Sequence, residues 1–216
     1  MTAAADLVQT LAHFVPEPVA RKLISGGGAR LEPVEAKATV LLCDIARFTE
    51  LTESLGPRRV IEFLNAYFEV LVGIVDRHRG MVTQFQGDAI LAAFNVPLAD
   101  PDHGAAAVRA AIEIVQATDG QAFAGVRVCN RVGICTGRVV AGTVGAHGML
   151  SYTVHGNAVN LAARLEQLNK RYGTRILLSE KTAERCPDIP LRRLEMTRIR
   201  GHTEPVELYT PVLETK

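Results

Sequence analysis

The sequence contains no apolar run approaching the ~20 residues that a membrane-spanning helix needs. Its N-terminus also lacks the basic start and long apolar centre of a secretory signal. Neither sign of charge dominates. The 24 basic and 23 acidic residues are mixed along the chain and leave a net charge of +1, without the concentrated patch that nucleic acid or an anionic membrane surface calls for. Cysteine is scarce and unpatterned. Cys43, Cys129, Cys135 and Cys186 show no C-x-x-C spacing, and three of them lie in apolar strand-like runs, which reads as reduced, buried thiols rather than a disulfide. The six histidines show no metal-ligand spacing, and no internal repeat or low-complexity tract is evident. These absences describe a soluble, cytoplasmic chain with no nucleic-acid partner and no membrane span, complete in itself or cut from a larger membrane protein.

What is present is one domain of ordinary size with a short appendage: 216 residues, 48% of them hydrophobic. Residues 1–34 read as an N-terminal helical arm or linker. Apolar positions from Leu7 to Ile24 have helical spacing, Pro16 and Pro18 divide them into two short pieces, and Gly26-Gly27-Gly28 forms a joint. Such an arm either packs on the core or passes a signal from an upstream sensor domain. Residues 35–216 form the main domain. Strand patterns cover 37–44, 81–86, 89–94, 126–135, 139–144, 150–154, 175–178 and 206–213, and helical periodicity covers 57–79, 103–118 and 157–171. The expected fold is α+β, with a ferredoxin-like βαββαβ core sandwich, additional strands and helices, and helices mostly on one face.

Two aspartates stand out. Asp44 ends the buried strand Ala38–Cys43 in LLCDIARFT, and Asp88 follows Gly87 in the hairpin of QFQGDAILAAF. A carboxylate at the end of an apolar strand is costly to desolvate unless a cation meets it. Two on neighbouring strands suit a pair of divalent cations, Mg²⁺ or Mn²⁺, holding a nucleoside triphosphate, with the Ile45 carbonyl as a further ligand. Taken singly, each is better read as a hydrogen-bonded strand end. In SYTVHGNAVNLAARLEQL, residues 151–168, a strand passes through a glycine turn into an amphipathic helix. Asn160 and Arg164 are four apart on one face of it. Arginine offers a fork of donors suited to a phosphoryl group, and asparagine a donor and an acceptor suited to a ribose oxygen.

With these residues in view, the chain resembles the class III nucleotidyl cyclase family, the adenylate and guanylate cyclases, over about residues 37–213. DI-x-x-FT around Asp44, QGDAI around Asp88, VGI-x-TG at 132–137 and VN-x-AAR at 159–164 stand in that family's order and spacing. The diguanylate cyclases, which also place an acidic metal ligand in a hairpin, lack the VN-x-AAR helix and fit worse. The resemblance implies that Asp44 and Asp88 bind both metals, and that Asn160 and Arg164 orient the ribose and stabilise the transition-state phosphoryl. It also implies that the backbone N–H groups at Phe48 and Thr49 cradle the triphosphate, that Arg138 and Arg200 contact phosphates, and that Gln84 and Thr153 read the base. The implied assembly is a head-to-tail homodimer with two active sites at its interface, each completed by the catalytic helix of the other subunit. The implied product is cyclic AMP from ATP.

Three positions depart from the family pattern. Gln84 stands where adenylate cyclases carry Lys and guanylate cyclases Glu, although Thr153 matches many bacterial adenylate-type members. Arg47 stands where Gly is usual, and Cys135 where His is frequent. A glutamine amide can present either a donor or an acceptor, so relaxed purine specificity is expected. The alternatives are a guanylate cyclase making cyclic GMP and a low-turnover nucleotide-binding regulatory domain.

Overall fold

The computed structural model describes residues 15–26, 30–146, 149–200, 202 and 204–213. Helix α1 (Glu17–Gly26) precedes the main sheet. Pro18 lies inside its first turn, where the backbone N–H groups have no helical acceptor and a proline is tolerated. The expected piece before Val15, and Gly27 and Gly28 of the joint, lie outside the described residues.

The core follows the order β1 (Val34–Ile45), α2 (Phe48–Leu55), α3 (Pro57–Arg77), β2 (Met81–Gln86), β3 (Ala89–Phe94), α4 (His103–Gly120) and β4 (Asn130–Ala146). After it come β5 (Met149–His155), α5 (Asn157–Tyr172), β6 (Ile176–Ser179), the short α6 (Glu180–Ala183), β7 (Leu191–Thr197) and β8 (Val206–Pro211). The eight-stranded sheet has the order β2-β3-β1-β4-β6-β8-β7, with β5 paired to β4. Its first four strands are the ferredoxin-like arrangement expected from the sequence. No described helix is long and apolar enough to cross a membrane.

Alternation along the strands divides the core in two. Leu41, Cys43, Ile90, Ala92, Val132 and Ile134 face α3 and α4. Val40, Leu91, Ala93, Cys135 and Val139 face α5, whose stripe of Ala158, Leu161, Ala162 and Leu165 covers them. The third long helix therefore lies alone on the second face. Gly133 allows it close contact: a Cβ there would come 2.0 Å from the Ala162 carbonyl oxygen and 2.4 Å from the Glu166 nitrogen. Asn169 fixes the other end of this contact, its Nδ2 donating to the Val132 carbonyl at 3.0 Å.

Four elements differ from the sequence expectation, the short α6 among them. The two strands expected at 126–135 and 139–144 are one strand, because residues 130–141 pair with β1 and 140–146 with β5, so the ladder runs unbroken past Gly137. Val126 instead closes a turn with Phe123, and residues 127–129 run irregularly into the strand. The expectation held none of α2, α6 and β7. In β7, an edge strand, Arg192, Arg193, Glu195 and Met196 are exposed, and a register shift between Arg193 and Met196 breaks the alternation that would have marked it.

Candidate active site

The hairpin between β2 and β3 turns at Gly87, whose φ of 66° is readily adopted only by a residue without a Cβ. This turn sets Asp88 beside the end of β1. The Ile45 N–H donates to Asp44 Oδ1 at 2.8 Å and to Asp88 Oδ2 at 3.1 Å, so one backbone donor is shared by two carboxylates. Burial, followed by the hydrogen bond to and the negative charge of Asp44, pushes the Asp88 carboxyl up to about 7. Beneath the pair, Asn130 Nδ2 donates to Cys43 Sγ at 3.0 Å and to the Tyr67 hydroxyl. Burial pushes the Cys43 thiol up to about 12, so it stays protonated. All four cysteines are free; three are buried and Cys129 is exposed.

After Ile45 the chain turns into α2. Arg47 adopts φ 64° and ψ 34°, the left-handed conformation natural to glycine, which costs other residues roughly 1–2 kcal/mol. The loop therefore keeps a glycine-like path, and the arginine side chain folds back onto Glu50, with Nε 2.9 Å from Oε1. The first amide of α2 to find a carbonyl is that of Leu51, on Arg47. The N–H groups of Phe48 and Thr49 thus belong to the first turn, which leaves its donors open to an anion.

Gln84 reaches its position through a bulge. Val82 pairs with Ala92 and Gln84 with Leu91, so Thr83 is the extra residue and Gln84 crosses to the α5 face of the sheet. There Gln84 Nε2 donates to Thr153 Oγ1 at 2.8 Å, and its Oε1 accepts from Gln86 Nε2 at 2.8 Å. The two expected base-reading residues are thereby joined, although 69 positions separate them in sequence.

Asn160 and Arg164 make no hydrogen bond or ion pair to Asp44 or Asp88 among the described residues. Asn160 is exposed and Arg164 half-buried, whereas Glu166 of the same helix is buried against the sheet. At about 100° per residue, Arg164 points roughly 200° away from Glu166. Arg138 is also remote. It pairs with Lys37, seven register steps along β1 from Asp44, or about 23 Å. Arg138 instead lines a cavity of about 610 Å³ with Asn157, Lys181 and His202, none of which the sequence singled out as a site residue. Arg200 is exposed beyond β7. The cation beside Asp44 is Arg131, its direct partner across the β1–β4 ladder. The sequence reading passed over it. Its signal is the alternation Arg131, Gly133, Cys135, which puts the arginine on the face where a strand glycine marks a close approach.

Glu166 was also missed. It interrupts the apolar stripe of α5, with its Oε1 3.0 Å from Arg131 Nε. Burial and then the charge of Asp44 push its carboxyl up to about 7, against the pull of Arg131. Among the described residues no group of three or more His, Cys, Asp or Glu side chains converges as a metal site. A cation at Asp44 and Asp88 would draw its other ligands from backbone carbonyls and from a bound phosphate.

The family of the "Adenylate and Guanylate cyclase catalytic domain" matches residues 32–210. Adenylate cyclase 1 of Rhizobium meliloti is 34% identical over 98% of this chain and 33% of its own length. This chain thus spans about a third of that relative. Among solved structures, a bacterial light-regulated adenylyl cyclase superposes with a TM-score of 0.85 at 25% identity, covering 99% of this chain and 63% of that one. The guanylyl cyclase Cya2 gives 0.72 at 29% identity, covering 82% and 92%. Likeness thus extends to cyclases of both purines. The fold, the ordered motifs and these matches agree: the chain belongs to the adenylate and guanylate cyclase catalytic-domain family.

Proposed function

We propose that the chain is a nucleotidyl cyclase that converts ATP to 3′,5′-cyclic AMP and pyrophosphate, with relaxed purine specificity. The observation that carries this reading is the pair Asp44 and Asp88, two carboxylates crowded onto one N–H with the second held up at about 7. Such a pair is at odds with itself until a divalent cation relieves the repulsion, and its oxygen donors fit Mg²⁺ or Mn²⁺. Asp44, Asp88 and the Ile45 carbonyl would hold it. When bound, two such ions supply polarisation of the attacking hydroxyl and neutralise charge on the leaving phosphates.

The protein's own groups would do the rest. The first-turn amides of α2, at Phe48 and Thr49, hold phosphate oxygens, and Arg131 adds a cation beside them. Asn160 orients the ribose so that its 3′-oxygen lies in line with the α-phosphorus. Arg164 donates to the phosphoryl oxygens as the O3′–Pα bond forms, the bond to pyrophosphate breaks and the hydroxyl proton leaves to solvent. Losing one such preorganised donor costs on the order of 3–4 kcal/mol. Because Asn160 and Arg164 make no such contact with their own Asp44 or Asp88, they serve the aspartates of a second copy, in a head-to-tail homodimer with two composite sites. Gln84 and Thr153 read the base. Thr153 favours adenine, while the Gln84 amide can turn over against a hydroxyl that both donates and accepts, so guanine is not excluded.

Complementation tests this arrangement. Asp44→Ala and Asn160→Ala should each lose cyclase activity by about a hundredfold or more, and mixing them should restore one competent site per heterodimer. No recovery from folded, dimeric variants would refute the shared site. In the same assay with Mn²⁺, the wild type should prefer ATP over GTP by less than about 1000-fold.

A further inference from the structure

Glu166 approaches the Asp44 end of β1 from the helix side. Asp44 and Arg131 are cross-strand partners whose side chains share the α5 face, with Cβ atoms about 4.5–5.5 Å apart. Glu166 projects from α5 onto that face, its side chain 4% exposed. The guanidinium therefore has a carboxylate on either side. Among the described residues it is paired with Glu166 and not with Asp44. The 3.0 Å contact lies off the N–H axis, and Arg131 Nε and Glu166 Oε1 are both buried without an aligned hydrogen bond, so the pair is held by charge. A guanidinium seated on Asp44 would occupy the oxygens that a divalent cation needs.

We propose that Glu166 is a positioning residue that holds the Arg131 guanidinium off Asp44 and so keeps that carboxylate open to a divalent cation. This rests on the reading of Asp44 as a metal ligand. The backbone supports it, because the Glu166 nitrogen lies against Gly133 and Asn169 is tied to the Val132 carbonyl. These two contacts fix the helix backbone at and just beyond Glu166 against the strand that carries Arg131. A buried carboxylate in an apolar stripe is otherwise a liability, and packing alone would be met by a glutamine or leucine.

The test is Mn²⁺ binding to the whole chain without nucleotide, followed by electron paramagnetic resonance, in the wild type, Asp44→Asn, Glu166→Gln and the double variant Arg131→Met/Glu166→Gln. Asp44→Asn and Glu166→Gln should each weaken Mn²⁺ binding by about tenfold. The double variant should return to within about threefold of the wild type, since it has no cation to fall onto Asp44. If Asp44→Asn binds normally, the metal-site reading itself fails. If it binds weakly and Glu166→Gln binds normally, only the role of Glu166 fails. A double variant as weak as Glu166→Gln would also overturn that role and reduce the residue to packing. Should Glu166→Gln not fold, Glu166→Leu removes the charge with an apolar side chain suited to the α5 stripe, and normal Mn²⁺ binding in that variant would overturn the proposal equally.

Discussion

Two cross-sections of the same strand pair, five residues apart, are built on opposite principles. At Asp44 and Arg131 the ladder gathers charge: Asp88 leans on Asp44, and Glu166 on Arg131. At Thr39 and Thr136 it gathers neutral hydroxyls. Thr39 Oγ1 lies 2.7 Å from His103 Nδ1 and 2.7 Å from Thr136 Oγ1, and the chain continues through Thr182 at 3.0 Å to Ser179. All five residues are buried. Burial and the charge of Arg185 push the His103 imidazole down to about 4, despite the opposing charge of Asp100, so it joins this chain uncharged. The middle of the sheet is therefore satisfied within the chain. The end is not, and two of its carboxyls are pushed up to about 7. The charged end is where the proposed cation would bind, and the neutral section holds the strands that present it.

That contrast can be broken or sharpened. The largest effect should come from Gly133→Ala, where the added methyl would meet helix backbone, which cannot swing aside as a side chain can. A loss of about 3 kcal/mol or more is expected, with α5 displaced. Near-normal stability in urea denaturation would show that the helix has slack after all.

A smaller effect concerns His103. Its folded-state pKa of about 4 lies below the unfolded value, so its contribution is complete above about pH 6.5 and is lost as the pH falls toward 4. Relative to His103→Asn, the wild type should lose about 1–2 kcal/mol between pH 7 and pH 5. Parallel stability curves would remove His103 from the neutral section.

The smallest effect has the opposite sign. Without divalent cations Asp88 carries a raised pKa, so its charge penalises the fold above about pH 7 and not below about pH 4. Asp88→Asn should therefore be inactive, yet more stable than the wild type by about 1 kcal/mol at pH 8 after allowance for solvent screening, and equal to it near pH 4. A wild type as stable as the variant at both pH values would mean that the site stores no strain.

How much of this could be read beforehand depended on whether the signal was local. Asp44, Asp88, Gln84 and Thr153 sit in short runs with fixed spacing, and the fold brings each pair together. The core strands and all three long helices were legible from periodicity. The bulge at Thr83 was not, because one extra residue leaves no mark in composition while turning Gln84 to the other face. Helix α2 was hidden because it starts from a positive-φ arginine, not from a conventional cap. Arg131 and Glu166 were overlooked for a different reason. Each is commonplace in its own element, and their importance comes from a strand and a helix lying against each other at Gly133.

That contact also constrains how the protein can be switched on. Where a helix rests on side chains, rotamer changes let it slide by a fraction of a turn. Here Ala162 and Glu166 rest on bare strand backbone. Helix and sheet must travel as one lever, so in the proposed homodimer Asn160 and Arg164 would be repositioned only by moving one whole subunit against another.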